Sequence, residues 1–214
     1  MRIDFVSDVA CPWCAVGLAA FEIALARLRD EFGDGLRLDL HFQPFELNPA
    51  LGPAGEDAAA YLKAKYAMGD AELAAARERL RERGAAVGFS FAERQRVWNT
   101  FDAHRLLHHA GLQGAEPQRR LKHALLRAYH GEGRNPGAAD VLLAAAAEAG
   151  LDLDAASAVI ATDAHADAVR AAEREWQQAG IGAVPSVVID RRHLLQGALP
   201  PDAYVQSLRR WAAA

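Results

Sequence analysis

Cys11-Pro12-Trp13-Cys14 holds the only two cysteines of a 214-residue chain, and they stand three positions apart. If the second cysteine lies in the first turn of a helix, both sulfurs share one face and can close into a disulfide. A thiol at a helix N-terminus faces unpaired backbone N–H groups and the positive end of the helix dipole, which favour its thiolate. Cys11 is therefore read as the attacking sulfur and Cys14, one turn deeper, as the resolving partner. Pro12 suits the first helical position, where an N–H would be unpaired anyway. Half of a zinc site is a weaker reading, because zinc needs four ligands and no second cysteine pair exists. Two inert buried thiols remain the other alternative; proline between the cysteines at a strand-to-helix turn favours redox use.

The elements that must position this pair can be read in order. Ile3-Asp4-Phe5-Val6-Ser7 is a short buried strand, and Val16, Leu18, Phe21, Leu25 and Leu28 give the following helix its apolar stripe as far as Phe32-Gly33-Asp34-Gly35. Leu36, Leu38, Leu40 and Phe42 alternate with polar residues as a second strand. Strand, helix and strand make a βαβ unit, expected to be right-handed with parallel strands. Pro44 to Pro53 carries too much proline for either element and reads as a loop.

Helices are expected over 57–68, 70–87, from Asn99 or Thr100 to His109, then 116–130, 138–149, 154–161 and 163–179. In the second of these, Arg77, Glu78, Arg79, Arg81, Glu82 and Arg83 read as a solvated charged face. Trp98, Trp176, Trp211, Phe42 and Phe45 read as packing residues. A strand from Val184 to Asp190, a turn at Arg191-Arg192, a partner strand over 193–197 and a last helix from Pro200-Pro201 to Trp211 complete a ββα unit. That order is an α/β thioredoxin fold whose βαβ and ββα halves are separated by an all-helical insertion. Residues 1–48 and 176–214 would form the thioredoxin-like domain and residues 49–175 the insertion.

Composition narrows the function. The net charge is −4, the hydrophobic fraction is 51 %, and no basic run offers a footprint for nucleic acid or an anionic membrane. No apolar stretch reaches spanning length. The first strand starts directly after Met1 without a basic, apolar leader, so the expected compartment is the cytoplasm. There, a lone cysteine pair points to catalysis ahead of structural bridging.

Five segments carry a family resemblance: Ser7-Asp8-Val9-Ala10-Cys11-Pro12-Trp13-Cys14, Pro44-Phe45-Glu46-Leu47-Asn48-Pro49, Asn99-Thr100-Phe101-Asp102-Ala103-His104-Arg105-Leu106, Gly180-Ile181-Gly182-Ala183-Val184-Pro185-Ser186 and Gln196-Gly197-Ala198. Through them the chain resembles the DsbA-like thiol–disulfide oxidoreductases, and within them the FrnE-like branch, near the 2-hydroxychromene-2-carboxylate isomerases and kappa-class glutathione transferases. The resemblance implies a cis peptide at Val184–Pro185 facing the cysteines, with the Val184 backbone offered to an extended substrate. It also implies a pocket beside the cysteines to which Asn48 and Asn99 contribute, although a loop turn and a helix cap account for them equally well. Ser186 and Leu199 depart from the residues common in relatives, and Leu199 weakens the case for a bound glutathione. The isomerase and transferase relatives usually carry Ser at the position of Cys11, which argues against their chemistry here.

The expected activity is thiol–disulfide exchange with protein or peptide thiols, needing no cofactor beyond the Cys11–Cys14 disulfide, with glutathione as an open co-substrate. Trp13 would offer an apolar contact to the client. Asp8 would oppose the Cys11 thiolate, so a less extreme oxidant is expected. The alternatives are a glutathione-dependent small-molecule isomerase or transferase, and a chaperone or metal-binding module using His104, His108 and His109. No metal is expected at the cysteines, and the oligomeric state, a dimer included, stays open.

Overall fold

The computed structural model describes residues 1–212. Its strands are β1 (Arg2–Ser7), β2 (Asp39–Pro44), β3 (Glu56–Asp57), β4 (Arg96–Val97), β5 (Ser186–Ile189) and β6 (His193–Gln196). The helices are α1 (Pro12–Phe32), α2 (Ala58–Tyr66), α3 (Asp70–Ala85), α4 (Phe101–Gln113), α5 (Ala115–Leu126), α6 (Ala139–Ala149), α7 (Leu153–Ala161), α8 (Ala166–Gln178) and α9 (Pro201–Ala212). A 3-10 turn at Gly33–Gly35 follows α1, and a π-helical turn at Arg127–Gly131 follows α5.

The main sheet runs β2-β1-β5-β6. β1 pairs parallel with β2 and antiparallel with β5, which pairs antiparallel with β6. The βαβ and ββα halves therefore meet at β1 and β5, the expected thioredoxin arrangement.

Alternation along β1 explains how the sheet is covered. Ile3 and Phe5 point to one face with Val187 and Ile189, where they pack with Leu18, Phe21 and Leu25 of α1 and Tyr204 and Leu208 of α9. Phe5 meets Phe21 and Phe42 at centroid distances of 6.0 and 5.9 Å. Each of these buried rings contributes on the order of 1.5–3 kcal/mol by leaving water. Val6 and Val188 point to the other face and pack with Trp176 of α8. Asp4 shares that second face; fully buried, it takes hydrogen bonds from Arg2 and Gln43.

Helices α4 to α7 build a second core around Leu106, Leu121, Leu125, Tyr129, Leu142 and Ala146. Val9 and Ala10 of the cysteine turn belong to this second core, so these helices pack directly on the cysteine turn. The structure departs from the sequence reading in several places, and α4, expected to stop at His109, runs on to Gln113. β3 and β4 form a separate two-stranded sheet where no strands were expected; two residues apiece are too few for a period to show. β2 begins at Asp39 and not at Leu36. The helix expected to reach His130 as regular α-helix ends at Leu126, and its last turn widens to π.

Candidate active site

Cys11 caps α1 in extended conformation and Pro12 is its first residue, so the cysteine pair sits where the strand hands over to the helix. Cys11 is 4 % exposed and Cys14 fully buried, and the two are not bonded to each other. Cys11 Sγ lies 3.6 Å from the carbonyl oxygen of Val184. The Val184–Pro185 peptide is cis. Pro185 in turn lies against α1: a Cβ built on Gly17 would stand 2.7 Å from Pro185 Cγ. Only a glycine lets the helix and the proline approach this closely.

The two sulfurs differ in acidity, each for identifiable reasons. The hydrogen bond from the Cys14 thiol holds the Cys11 pKa below that of an ordinary cysteine, helped by the N–H groups of Cys14 and Trp13 and opposed by burial and by Asp8. Burial pushes Cys14 well above an ordinary thiol, and donating its proton to Cys11 adds to the effect. One sulfur is thus poised as nucleophile while the other keeps its proton.

Asp8 ties two further segments, the loop at Leu47 and the start of α4, to the cysteine turn. Its Oδ1 accepts the Ala10 N–H at 2.9 Å and the Thr100 hydroxyl at 2.7 Å, and lies 3.3 Å from His104 Nε2. Its Oδ2 accepts the Leu47 N–H at 2.7 Å. Burial raises the Asp8 pKa, but the bonds and charge of His104 and the two N–H groups outweigh it, leaving Asp8 below the usual carboxylate range. Its charge is the one that opposes the Cys11 thiolate.

Three groups near the pair escaped the sequence reading, Lys122 and His130 buried and Arg94 half-buried. Lys122 of α5 is 1 % exposed; burial lowers its pKa, and the nearby charges of Cys14, Asp8 and Cys11 partly restore it. It forms no ion pair among the described residues. His130 places Nε2 2.8 Å from the Val9 carbonyl oxygen, and burial with Arg94 nearby pushes its pKa down to about 3, so the neutral ring donates that bond. Arg94 donates to the Ala10 carbonyl at 3.0 Å. All three lie far along the chain from the cysteines, and no local motif marks them.

A cleft of about 550 Å³ opens beside Cys11. Pro12 and Trp13, both half-buried, line it next to Cys11, and α2 and α3 wall its far side. Asn48 also lines it, its Oδ1 accepting from the Tyr61 hydroxyl at 2.6 Å. Asn99 does not line this cleft: its Oδ1 accepts the Phe101 N–H at 2.8 Å, at the start of α4. The three histidines of α4 part company. His104 turns inward to Asp8, while the rings of His108 and His109 stand 5.1 and 5.4 Å from that of His165. No helix among the described residues is long and apolar enough to cross a membrane.

Comparison with known proteins agrees with this geometry. A family model described as a DSBA-like thioredoxin domain matches residues 2–209. The probable DsbA oxidoreductase SCO1869 from Streptomyces coelicolor is 36 % identical, with TM-score 0.90 over all of this chain and 91 % of that one. A 2-hydroxychromene-2-carboxylate isomerase superposes with TM-score 0.72 at 16 % identity over 99 % of this chain and 96 % of that one. The cytosolic disulfide reductase DsbM from Pseudomonas aeruginosa, solved with GSH, does so with TM-score 0.67 at 16 % identity over the whole of both chains. The last two similarities concern the fold alone. The chain belongs to the DSBA-like thioredoxin domain family.

Proposed function

We propose that this family member is a thiol–disulfide oxidoreductase acting on protein or peptide thiols through Cys11 and Cys14, and that it sits in the FrnE-like branch. In the oxidising direction a client thiolate attacks Cys11 Sγ of the Cys11–Cys14 disulfide. The bond to Cys14 breaks, Cys14 leaves as a thiolate and takes a proton, and a client–Cys11 disulfide forms. A second client thiolate then attacks the client sulfur and releases Cys11 as a thiolate. Reduction runs the same steps in reverse.

The observation that carries this reading is the asymmetry of the pair, with a favoured thiolate at Cys11 above a buried, protonated Cys14. Val184 beside Cys11 would present its backbone to an extended client, and Pro12, Trp13 and Pro185 would shape the contact. On this reading the protein works in the cytoplasm without a bound cofactor, with glutathione at most a co-substrate. Redox titration of the dithiol against glutathione, with a reductase assay on a disulfide-bonded protein, tests it. A reversible two-electron transition supports the reading, and a pair that never cycles overturns it.

A glutathione-dependent isomerase or transferase is the second reading, favoured by a cleft whose volume falls in the range of small-molecule sites. Replacing Cys14 alone separates the two. Dithiol exchange is lost, whereas chemistry that only activates an external thiol survives.

A further inference from the structure

The cleft beside Cys11 has a charge pattern that thiol exchange itself does not require. The chain carries a net charge of −4, yet Lys65, Arg77, Arg79, Arg81 and Arg94 line this one cleft against a single carboxylate, Glu93. Arg81 is neutralised by Glu78, and Arg77 lies 3.8 Å from Glu93. The other three have no carboxylate within ion-pair distance among the described residues. Lys65 Nζ donates to the Leu47 carbonyl at 3.0 Å and to Asn48 Oδ1, and Arg94 donates to the Ala10 carbonyl. Both cations are therefore held in place by neutral acceptors, with no carboxylate paired to them among the described residues. Beneath this rim the walls are apolar, with Leu62, Leu73, Leu80 and Phe91 among them.

Resting on the oxidoreductase reading above, we infer that the cleft selects acidic peptide segments: extended clients whose cysteine is flanked by Asp or Glu and by an apolar side chain. Carboxylates would meet Lys65, Arg79 and Arg94, and the apolar side chain would enter between α2 and α3. A peptide suits the site better than a free small thiol because the Val184 N–H makes no hydrogen bond among the described residues. It can pair with the client backbone beside Cys11. Charge at the rim of a reactive site acts mainly on encounter rate and on the choice among partners.

The test uses Cys14→Ser protein and peptides of equal length, each with one cysteine activated as a 2-thiopyridyl disulfide and flanked by acidic, neutral or basic residues. The Cys11 thiolate attacks the peptide sulfur, the bond between that sulfur and the thiopyridyl sulfur breaks, a Cys11–peptide disulfide forms, and the leaving thiolate takes a proton as pyridine-2-thione and reports the rate. Each rate is divided by that of the same peptide with a small free thiol. The acidic peptide should outrun the basic one by about tenfold or more at low salt, and the ratio should fall toward unity near 1 M salt, where the screening length is about 3 Å. Joint Lys65→Glu and Arg79→Glu substitution should invert the ranking. Equal rates, or a ranking indifferent to salt, overturn the acidic preference while leaving thiol exchange standing. Glutathione activated in the same way and reacting faster than the acidic peptide overturns the choice of a peptide. Failure of all peptides to react overturns the oxidoreductase reading itself.

Discussion

Cys11 Sγ stands 3.6 Å from the Val184 carbonyl oxygen, so residues 173 positions apart bring this sulfur against the stretch of backbone with which the proposed client would pair. Cys14, closest in sequence, governs the acidity of that sulfur. Because the Cys14 thiol is the main support of the Cys11 thiolate, Cys14→Ala should raise the Cys11 pKa more than Cys14→Ser, which keeps a donor hydroxyl. Thiolate absorbance against pH measures both.

Asp8 should act in two directions. Removing its charge in Asp8→Asn should lower the Cys11 pKa further, while disturbing a buried carboxylate with four partners should cost about 2–4 kcal/mol. Since the folded pKa of Asp8 lies below its ordinary value, its stabilisation is complete above that ordinary value and is lost as pH falls through the depressed one. Denaturant titrations across the acid range should show wild type losing stability there and Asp8→Asn losing less.

Lys122 has the opposite sign. A lysine whose folded pKa is lowered weakens the fold at any pH below the ordinary lysine value, and the penalty shrinks as pH rises from the lowered value to the ordinary one. Lys122→Met should raise stability at neutral pH by about 1–3 kcal/mol. It should also flatten the gain of wild type toward alkaline pH. Because the Lys122 charge favours the Cys14 thiolate, the same variant should slow attack of Cys14 on a mixed disulfide while leaving the first exchange at Cys11 less affected. Stopped-flow kinetics separates the two steps.

Gly17 should tolerate no side chain. Its Cβ would lie 2.7 Å from Pro185 Cγ and 3.4 Å from the Ala198 Cα, and a proline ring cannot swing aside. Gly17→Ala should cost about 1–3 kcal/mol, and it should slow exchange with clients by shifting α1 away from Pro185. Chemical unfolding and the exchange rate check this together.

Much of this architecture was legible because local signals agreed. The short apolar run of β1, the proline opening α1 and the hairpin of β5 and β6 each announced themselves within a few residues. Lys122 did not, because a lysine on a charged helix reads as solvated unless one knows that α5 packs behind the cysteines. His130 was hidden similarly, by a π turn that no local pattern foretells. The arginines of α3 were read as a solvated face, and Arg79 and Arg81 are exposed, but the fold brings Arg77, Arg79 and Arg81 to the wall of the cleft beside Cys11. Asn48 and Asn99 show the limit of reasoning from motifs. One lines the cleft, and the other is spent on the start of α4.

The most direct test of the account is covalent capture. Cys14→Ser protein incubated with disulfide-bonded clients should accumulate a mixed disulfide at Cys11, seen by mass spectrometry and reversed by reductant, and Cys11→Ser should capture nothing. If Cys14→Ser protein never holds a client at Cys11, the pair does not exchange disulfides and the account is wrong.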